Sequence, residues 1–312
     1  MDFKQLTALV TVSDVGSVTK AARLLHVVQP AVSRHIRSLE EEVGVALFER
    51  TRQGMTLTPA GEILAERARR ALLELERARA EIRPDRAAVQ GIVTVGLLES
   101  TVEILAPPLV EAVGRRYPGV GLRLLSAYSG HLQQWLDDGD VDMTLLYNLA
   151  STPSISVTPL LHESLWAVGP PGAVLADAGV LTWSHVTKQP LVLPVAGHGL
   201  RILVDQALHA IGVEPAVACQ TNSMLLQKRL VASGNGWSVL PAAGVAEDVA
   251  TGRLSGGPLT DPDVSRTVVL ALQRGGRVPP ALEAVAAEVV RATRRLVETG
   301  AWPTARAADR PD

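Results

Sequence analysis

The residues of this 312-residue chain whose types and spacing suit recognition chemistry gather between Ser17 and Gly61. Gln29, Ser33, Arg34 and Arg37 recur at intervals that a helix would bring to one face. Amide, hydroxyl and guanidinium groups set out in that way meet base edges and phosphates in a DNA major groove. The other side of the same segment carries Ala31, Val32, Ile36, Leu39 and Val43, a stripe for burial. Pro30 suits the first helical turn, where no backbone N–H is needed. Leu47-Phe48 and Met55-Thr56-Leu57-Thr58 read as two short strands around Glu49-Arg50-Thr51-Arg52-Gln53-Gly54. That hairpin would offer Arg50 and Arg52 to the phosphate backbone or the minor groove.

A second set of polar residues stands where strands give way to helices. Ser100 and Thr101 follow a strand at 92–97, Ser129 follows one at 121–126, and Tyr147 closes one at 141–147. His198 and Arg201 follow a strand at 191–193, and Asn222 follows one at 216–220. In open α/β sheets ligands collect beyond the carboxyl ends of the strands, and helix N-termini favour anions. Each of these hydroxyls and amides, taken alone, is equally well a helix cap. Five such turns facing one cleft favour a binding site. Arg201 occupies a first helical turn, where the dipole disfavours a cation. A bound carboxylate would relieve the conflict, and so would Asp205 at i+4.

The elements that must position these groups follow from the pattern. Ala21, Ala22 and Leu25 mark a short helix, His26-Val27-Val28 interrupts it, and residues 29–43 form a second. The pair is a helix-turn-helix with 29–43 as the recognition helix. Residues 59–86 contain no breaker after Gly61, and Leu64, Ala68, Ala71, Leu75, Ala78 and Ile82 form a seam for a partner helix. At 1.5 Å per residue that helix runs roughly 40 Å, more than a small N-terminal domain covers, so it is expected to mediate dimerisation. Pro84 ends or bends it, and 85–90 form a linker. After Gly91 strands and helices alternate, which means a mostly parallel sheet with helices on both faces. Residues from 301 onward, rich in Ala, Arg, Asp and Pro, are expected to fray.

Several elements of 17–61 resemble the winged helix-turn-helix of the LysR-type transcriptional regulators. They are Ala21-Ala22, Gln29-Pro30-Ala31-Val32-Ser33, Leu47-Phe48-Glu49-Arg50 and Leu57-Thr58-Pro59-Ala60-Gly61. Length and domain order extend the likeness to nearly the whole chain. Val27-Val28 departs from it, because a hydroxyl residue commonly precedes Gln-Pro in the family; the departure weakens the helix cap and spares the base-reading face.

The resemblance implies an α/β protein with a winged helix-turn-helix at 1–58, a dimerisation helix and hinge at 59–88, and a periplasmic-binding-protein-like effector module at 89–300. Lobe I would comprise about 89–160 and 267–300, and lobe II about 161–266, joined by crossover strands near 156–163 and 264–269, with a flexible tail at 301–312. DNA contacts would come from Ser17, Gln29, Pro30, Ser33, Arg34, Arg37, Arg50 and Arg52. Effector contacts would come from Ser100, Thr101, Ser129, Tyr147, His198, Arg201 and Asn222. The implied function is sequence-specific transcriptional regulation, controlled by a small anionic effector bound between the lobes. Promoter duplex, further copies of the chain as a dimer of dimers, and RNA polymerase are the implied partners. Residues 190–194 with His198-Gly199-Leu200-Arg201 also resemble the Nac-like branch, associated with nitrogen assimilation.

Composition bounds the alternatives. Net charge is -2, so no global basic footprint announces nucleic acid, and residues 1–88 hold 14 Lys and Arg against 12 Asp and Glu. The DNA reading rests on where the arginines stand. Cys219 is the single cysteine, which rules out an intrachain disulfide and a two-cysteine redox switch. It reads as a small core residue. The seven histidines show no metal-ligand spacing, and no cofactor is expected. No apolar run reaches membrane-spanning length, and MDFKQLTALV lacks the form of a secretory signal, so a cytoplasmic location is expected. A solute-binding protein with a fused helical domain would need such a signal. An enzyme would need a nucleophile elbow, a phosphate-cradling glycine loop or a metal cluster, and the chain has none of these, so no catalytic residue is assigned.

Overall fold

The structure, a computed structural model, describes residues 1–51, 54–82, 89–173, 181–274 and 278–308. The expectations for Arg52, for Pro84 and the first four residues of the 85–90 linker, for the side chain of Ile82 and for 309–312 fall outside those residues, while Gln90, expected in the linker, already belongs to a strand. The chain forms two compact units, Met1–Arg86 and Ala87–Asp312.

The first unit contains α1 (Phe3–Val15), α2 (Val18–Leu24), α3 (Gln29–Val43), the hairpin β1 (Phe48–Thr51) and β2 (Gly54–Leu57), and α4 (Pro59–Ile82). Asp2 and Gln5 cap α1 reciprocally. The Ser17 hydroxyl caps α2 by accepting from the Lys20 N–H at 3.4 Å. Val28 stands at the N-cap of α3 and offers no side-chain bond, while Gly44, at φ 75°, closes the helix in a left-handed turn. Leu9, Val12, Ala22, Val32, Ile36 and Leu39 form the centre of the core. The α3 stripe is narrower than expected: Ala31 is half-buried and Val43 is 37% exposed, since the last turn runs past this small core.

Local contacts explain Leu57-Thr58-Pro59-Ala60-Gly61. The Thr58 hydroxyl donates to the Ala46 carbonyl and accepts from the Gly61 N–H. A Cβ at Gly61 would lie 2.0 Å from the Leu47 carbonyl oxygen, so only glycine lets α4 start against the hairpin. In α4 the expected seam divides. Ala68 is buried and Leu64 half-buried against the unit's own core, whereas Ala71, Leu75 and Ala78 are exposed.

The second unit begins with β3 (Gln90–Leu98), α5 (Val102–Arg116), β4 (Gly119–Ala127), α6 (Ser129–Asp138), β5 (Met143–Tyr147) and β6 (Ile155–Gly169). It continues through β7 (Leu181–Thr182), α7 (Trp183–Val186), β8 (Leu191–Pro194), α8 (Gly199–Ala210), β9 (Val217–Thr221), α9 (Met224–Ala232) and β10 (Ser238–Pro241). It closes with α10 (Ala246–Ala250), β11 (Ser255–Thr260), β12 (Ser265–Gln273), α11 (Pro280–Glu298) and β13 (Arg306–Ala307). The larger sheet is mixed rather than mostly parallel. β3 runs parallel to β4 and β5, but β12 pairs antiparallel with both β5 and β6. The reversal comes from the crossover strands, which carry the chain from one hydrophobic core to the other. Residues 155–164 of β6 pair with β12, and 165–169 pair with β10 and β11.

One core gathers Leu97, Leu105, Leu136, Leu145, Val268 and Val285. The other gathers Leu165, Trp183, Val192, Leu193, Val204 and Val239. The tail expected to fray from 301 is ordered into the first of these as far as it is described. Trp302 is 1% exposed, and β13 adds a strand to β6, with Arg306 opposite His162. A buried indole and two paired residues outweigh the disorder that composition suggested.

Candidate functional site

On α3, Gln29, Pro30, Arg34 and Arg37 are exposed and Ser33 half-buried, on the side away from Val32, Ile36 and Leu39. Gln29 Nε2 donates to Ser33 Oγ at 2.9 Å, which fixes the amide across the first turn. The hairpin is tied to the same helix: Glu40 Oε1 accepts from the Leu47 and Phe48 N–H groups at 2.8 and 3.2 Å. Arg50 is exposed on β1. Arg34, Arg37 and Arg50 make no ion pair among the described residues, so their charges are available to a polyanion. Ser17 is held as the α2 cap, with its O–H left to donate. A rigid helix face plus a basic hairpin has the geometry of a groove reader.

In the second unit a narrow cleft lies where the two cores meet, about 320 Å³ when the solvent-open space at its mouth is included. Ser100, Ser129, Tyr147 and His198 line it, and so four of the seven residues expected at an effector site are brought together. Thr101, Arg201 and Asn222 are not in the lining. Thr101 is fully buried and donates its hydroxyl to the Leu98 carbonyl. Asn222 is exposed one residue beyond β9. Arg201 takes the alternative partner open to it from the sequence: Nε donates to Asp205 at 2.7 Å and Nη1 to the Pro194 carbonyl at 3.2 Å.

The cation of the cleft is Arg266, which motif reading missed. It lies on β12 directly opposite Glu163 of β6, 3% exposed against 0%. Its Nε donates to Glu163 Oε2 at 2.9 Å and its Nη2 to Ser100 Oγ at 2.6 Å. Its guanidinium carbon stands 4.9 Å from the Tyr147 ring centroid. The other Glu163 oxygen accepts from the Ala243 N–H at 2.9 Å and the Trp302 indole N–H at 3.3 Å. Glu99, Tyr128 and Gln227 were also missed. The available signal was one residue of each charge in crossover strands that hold no other Asp, Glu, Lys or Arg, since such charges survive burial when paired.

Each lining residue is buried or half-buried. Burial pushes the His198 imidazole down to about 4, helped by the charges of Arg266 and His131, so the ring is neutral at pH 7. Its Nδ1 accepts from the Leu200 N–H at 3.1 Å, which leaves the proton on Nε2. Tyr128 packs edge-on against His198, ring centroids 3.9 Å apart. Burial raises both the Tyr128 and Tyr147 phenols above their ordinary range. Tyr147 OH faces Ser129 and the Leu200 backbone without a well-formed bond. A Cβ at Gly199 would lie 2.4 Å from that oxygen, so glycine lets α8 begin against the ring. Among the described residues no group of three His, Cys, Asp or Glu is placed to hold a metal ion, and no helix is long and apolar enough to cross a membrane.

Residues 3–62 match the family described as bacterial regulatory helix-turn-helix protein, lysR family, and residues 86–294 match the LysR substrate binding domain. The chain is 29% identical over 303 residues to the HTH-type transcriptional regulator BbuR of Bordetella bronchiseptica, covering 97% of this chain and 93% of that one. It is 30% identical over 288 residues to the nitrogen assimilation regulatory protein nac of Escherichia coli, covering 91% and 93%. The crystal structure of full-length CbnR complexed with its target DNA shares the fold, with a TM-score of 0.70, 23% identity, and 95% and 99% of the two chains covered.

Proposed function

Because this chain belongs to the LysR family of bacterial helix-turn-helix regulators, we propose that it reads promoter DNA with the exposed face of α3. Gln29, Ser33, Arg34 and Arg37 would meet base edges and nearby phosphates. Ser17, Pro30, Arg50 and Arg52 would set the register on the backbone. The observation that carries this reading is that Arg34 and Arg37, without an ion pair among the described residues, stand on a helix whose opposite side buries Val32, Ile36 and Leu39. In the second unit, a small molecule bearing an anionic group would bind in the cleft lined by Ser100, Ser129, Tyr147 and His198. It would bias the protein between arrangements that differ in affinity for it. Thr101 would act there only through Leu98, whose carbonyl it holds, while Arg201 and Asn222 would stand outside the lining. The protein would work in the cytoplasm as a homotetramer, paired through the exposed stretch of α4, with RNA polymerase as a further partner.

The test is a footprint of the full-length protein on DNA upstream of its own gene. Ser33→Ala and Arg34→Ala should each abolish the specific footprint while leaving the fold and the sedimentation unchanged, since a good base contact is worth about 1–3 kcal/mol. Footprints identical to wild type would refute the assignment of α3. Arg50→Ala should instead weaken binding to all sequences and lower the salt dependence, as loss of a phosphate contact does.

A further inference from the structure

Four of the six buried side-chain atoms that lack a hydrogen-bond partner among the described residues belong to the lining of one cleft: Tyr128 OH, Tyr147 OH, His198 Nε2 and Gln227 Oε1. Buried polar atoms are satisfied in nearly all proteins, so a concentration of exceptions marks where a ligand completes the bonding. The four fall into two kinds. Both phenols and the His198 Nε2–H are donors, since His198 Nδ1 is already engaged as an acceptor by the Leu200 N–H. Ser100 adds a further O–H, because its oxygen already accepts from Arg266. Gln227 Oε1 is an acceptor: its amide nitrogen is committed to the Val192 carbonyl at 3.1 Å and Ser238 Oγ at 2.7 Å. Glu99 adds a carboxylate, of which Oε2 holds the Met224 N–H at 3.0 Å and the second oxygen is left over.

The charges point the same way. Among the described residues Arg266 is the only Lys or Arg of the lining, and Glu163 neutralises it at 2.8 Å. No cation is spare for a dianion, and Glu99 would repel a second carboxylate.

We propose that the ligand of this cleft is a small zwitterion of the α-amino-acid type. Its carboxylate would take the donors of Tyr128, Tyr147, His198 and Ser100. Its ammonium would lie between Glu99 and Gln227 Oε1, and a compact apolar side chain would rest on Leu98, Leu200 and Leu240. The inference rests on the effector reading above and specifies the ligand class for that same cleft.

Calorimetric titration of the full-length protein with the proteinogenic amino acids is the experiment. Any that binds is followed by its N-acetyl derivative, its amide and its deaminated acid, together with succinate. At least one free amino acid should bind, and each derivative should bind about tenfold or more weakly, as loss of one charged contact predicts. Glu99→Gln should weaken the amino acid by a similar factor and leave the deaminated acid unaffected. The derivative series on the wild-type protein stands without that variant should it fold poorly. No binding by any amino acid at millimolar concentration, or a deaminated acid or succinate binding as tightly, overturns the proposal. The same preparation is assayed on promoter DNA: specific binding there combined with a cleft that takes only amine-free acids sinks the zwitterion alone, while absence of specific binding sinks the regulator reading.

Discussion

Val28 gives the recognition helix a valine where a hydroxyl would cap it, and that side chain is 69% exposed. Val28→Ser adds the missing acceptor for the N–H groups of the first turn and uncovers no core. It should stabilise a fragment of residues 1–86 by about 1 kcal/mol, read as a higher denaturation midpoint; no rise would mean that first-turn N–H groups are already satisfied by water at no cost. His198 makes a prediction in pH. Its folded pKa, about 4, lies below the ordinary 6.5 or so of the unfolded residue. The unfolded chain therefore takes up a proton first. The stability that neutral His198 contributes is complete above pH 6.5 and is lost as pH falls toward about 4. His198→Gln should flatten that limb of the stability profile, and an unchanged profile would place the imidazole in solvent.

At the scale of elements, the crossover strands β6 and β12 are locked by Glu163 and Arg266, a cross-strand pair with both members buried. Removing one partner strands the other in a dry site, so Glu163→Ala should cost about 3–5 kcal/mol. It also orphans the Ala243 N–H and the Trp302 indole, and should therefore loosen the C-terminal segment as seen by hydrogen exchange. A loss under 1 kcal/mol would mean that water reaches the pair. Helix α4 is the other informative element. Leu75 is 48% exposed within its own unit, so Leu75→Glu should leave that unit's thermal stability unchanged. If α4 pairs with a second copy, the same change buries a charge at the junction and should shift sedimentation to smaller species. Unaltered sedimentation would remove α4 from the interface.

For the molecule as a whole, separate cores in the two units predict separable activities. Residues 87–312 produced alone should keep the ligand-induced rise in melting temperature, because mass action requires only an intact binding cleft. They should show no promoter binding, since every candidate base-reading residue lies before Met55. Promoter binding by that fragment would relocate the DNA site.

Residue order alone announced the helix-turn-helix, the hairpin and most of the alternation of strands and helices. Those signals are local: a buried stripe at helical spacing, Pro30 at a helix start, and Gly61 where a Cβ has no room. It also brought Ser100, Ser129, Tyr147 and His198 to one cleft, because strand–helix turns of an α/β unit face a common edge. Arg201 had two partners open to it, and the fold chose Asp205, four residues away. Folding alone selected the cation of the cleft, since Arg266 meets Glu163 across 103 residues and Ser100 across 166. It also decided the tail, where Trp302 found both a core and a carboxylate 139 residues upstream. The physical reason is common to both cases. A charge or an indole N–H enters a core only where a partner already waits, and spacing along the chain does not reveal partners that only folding brings together.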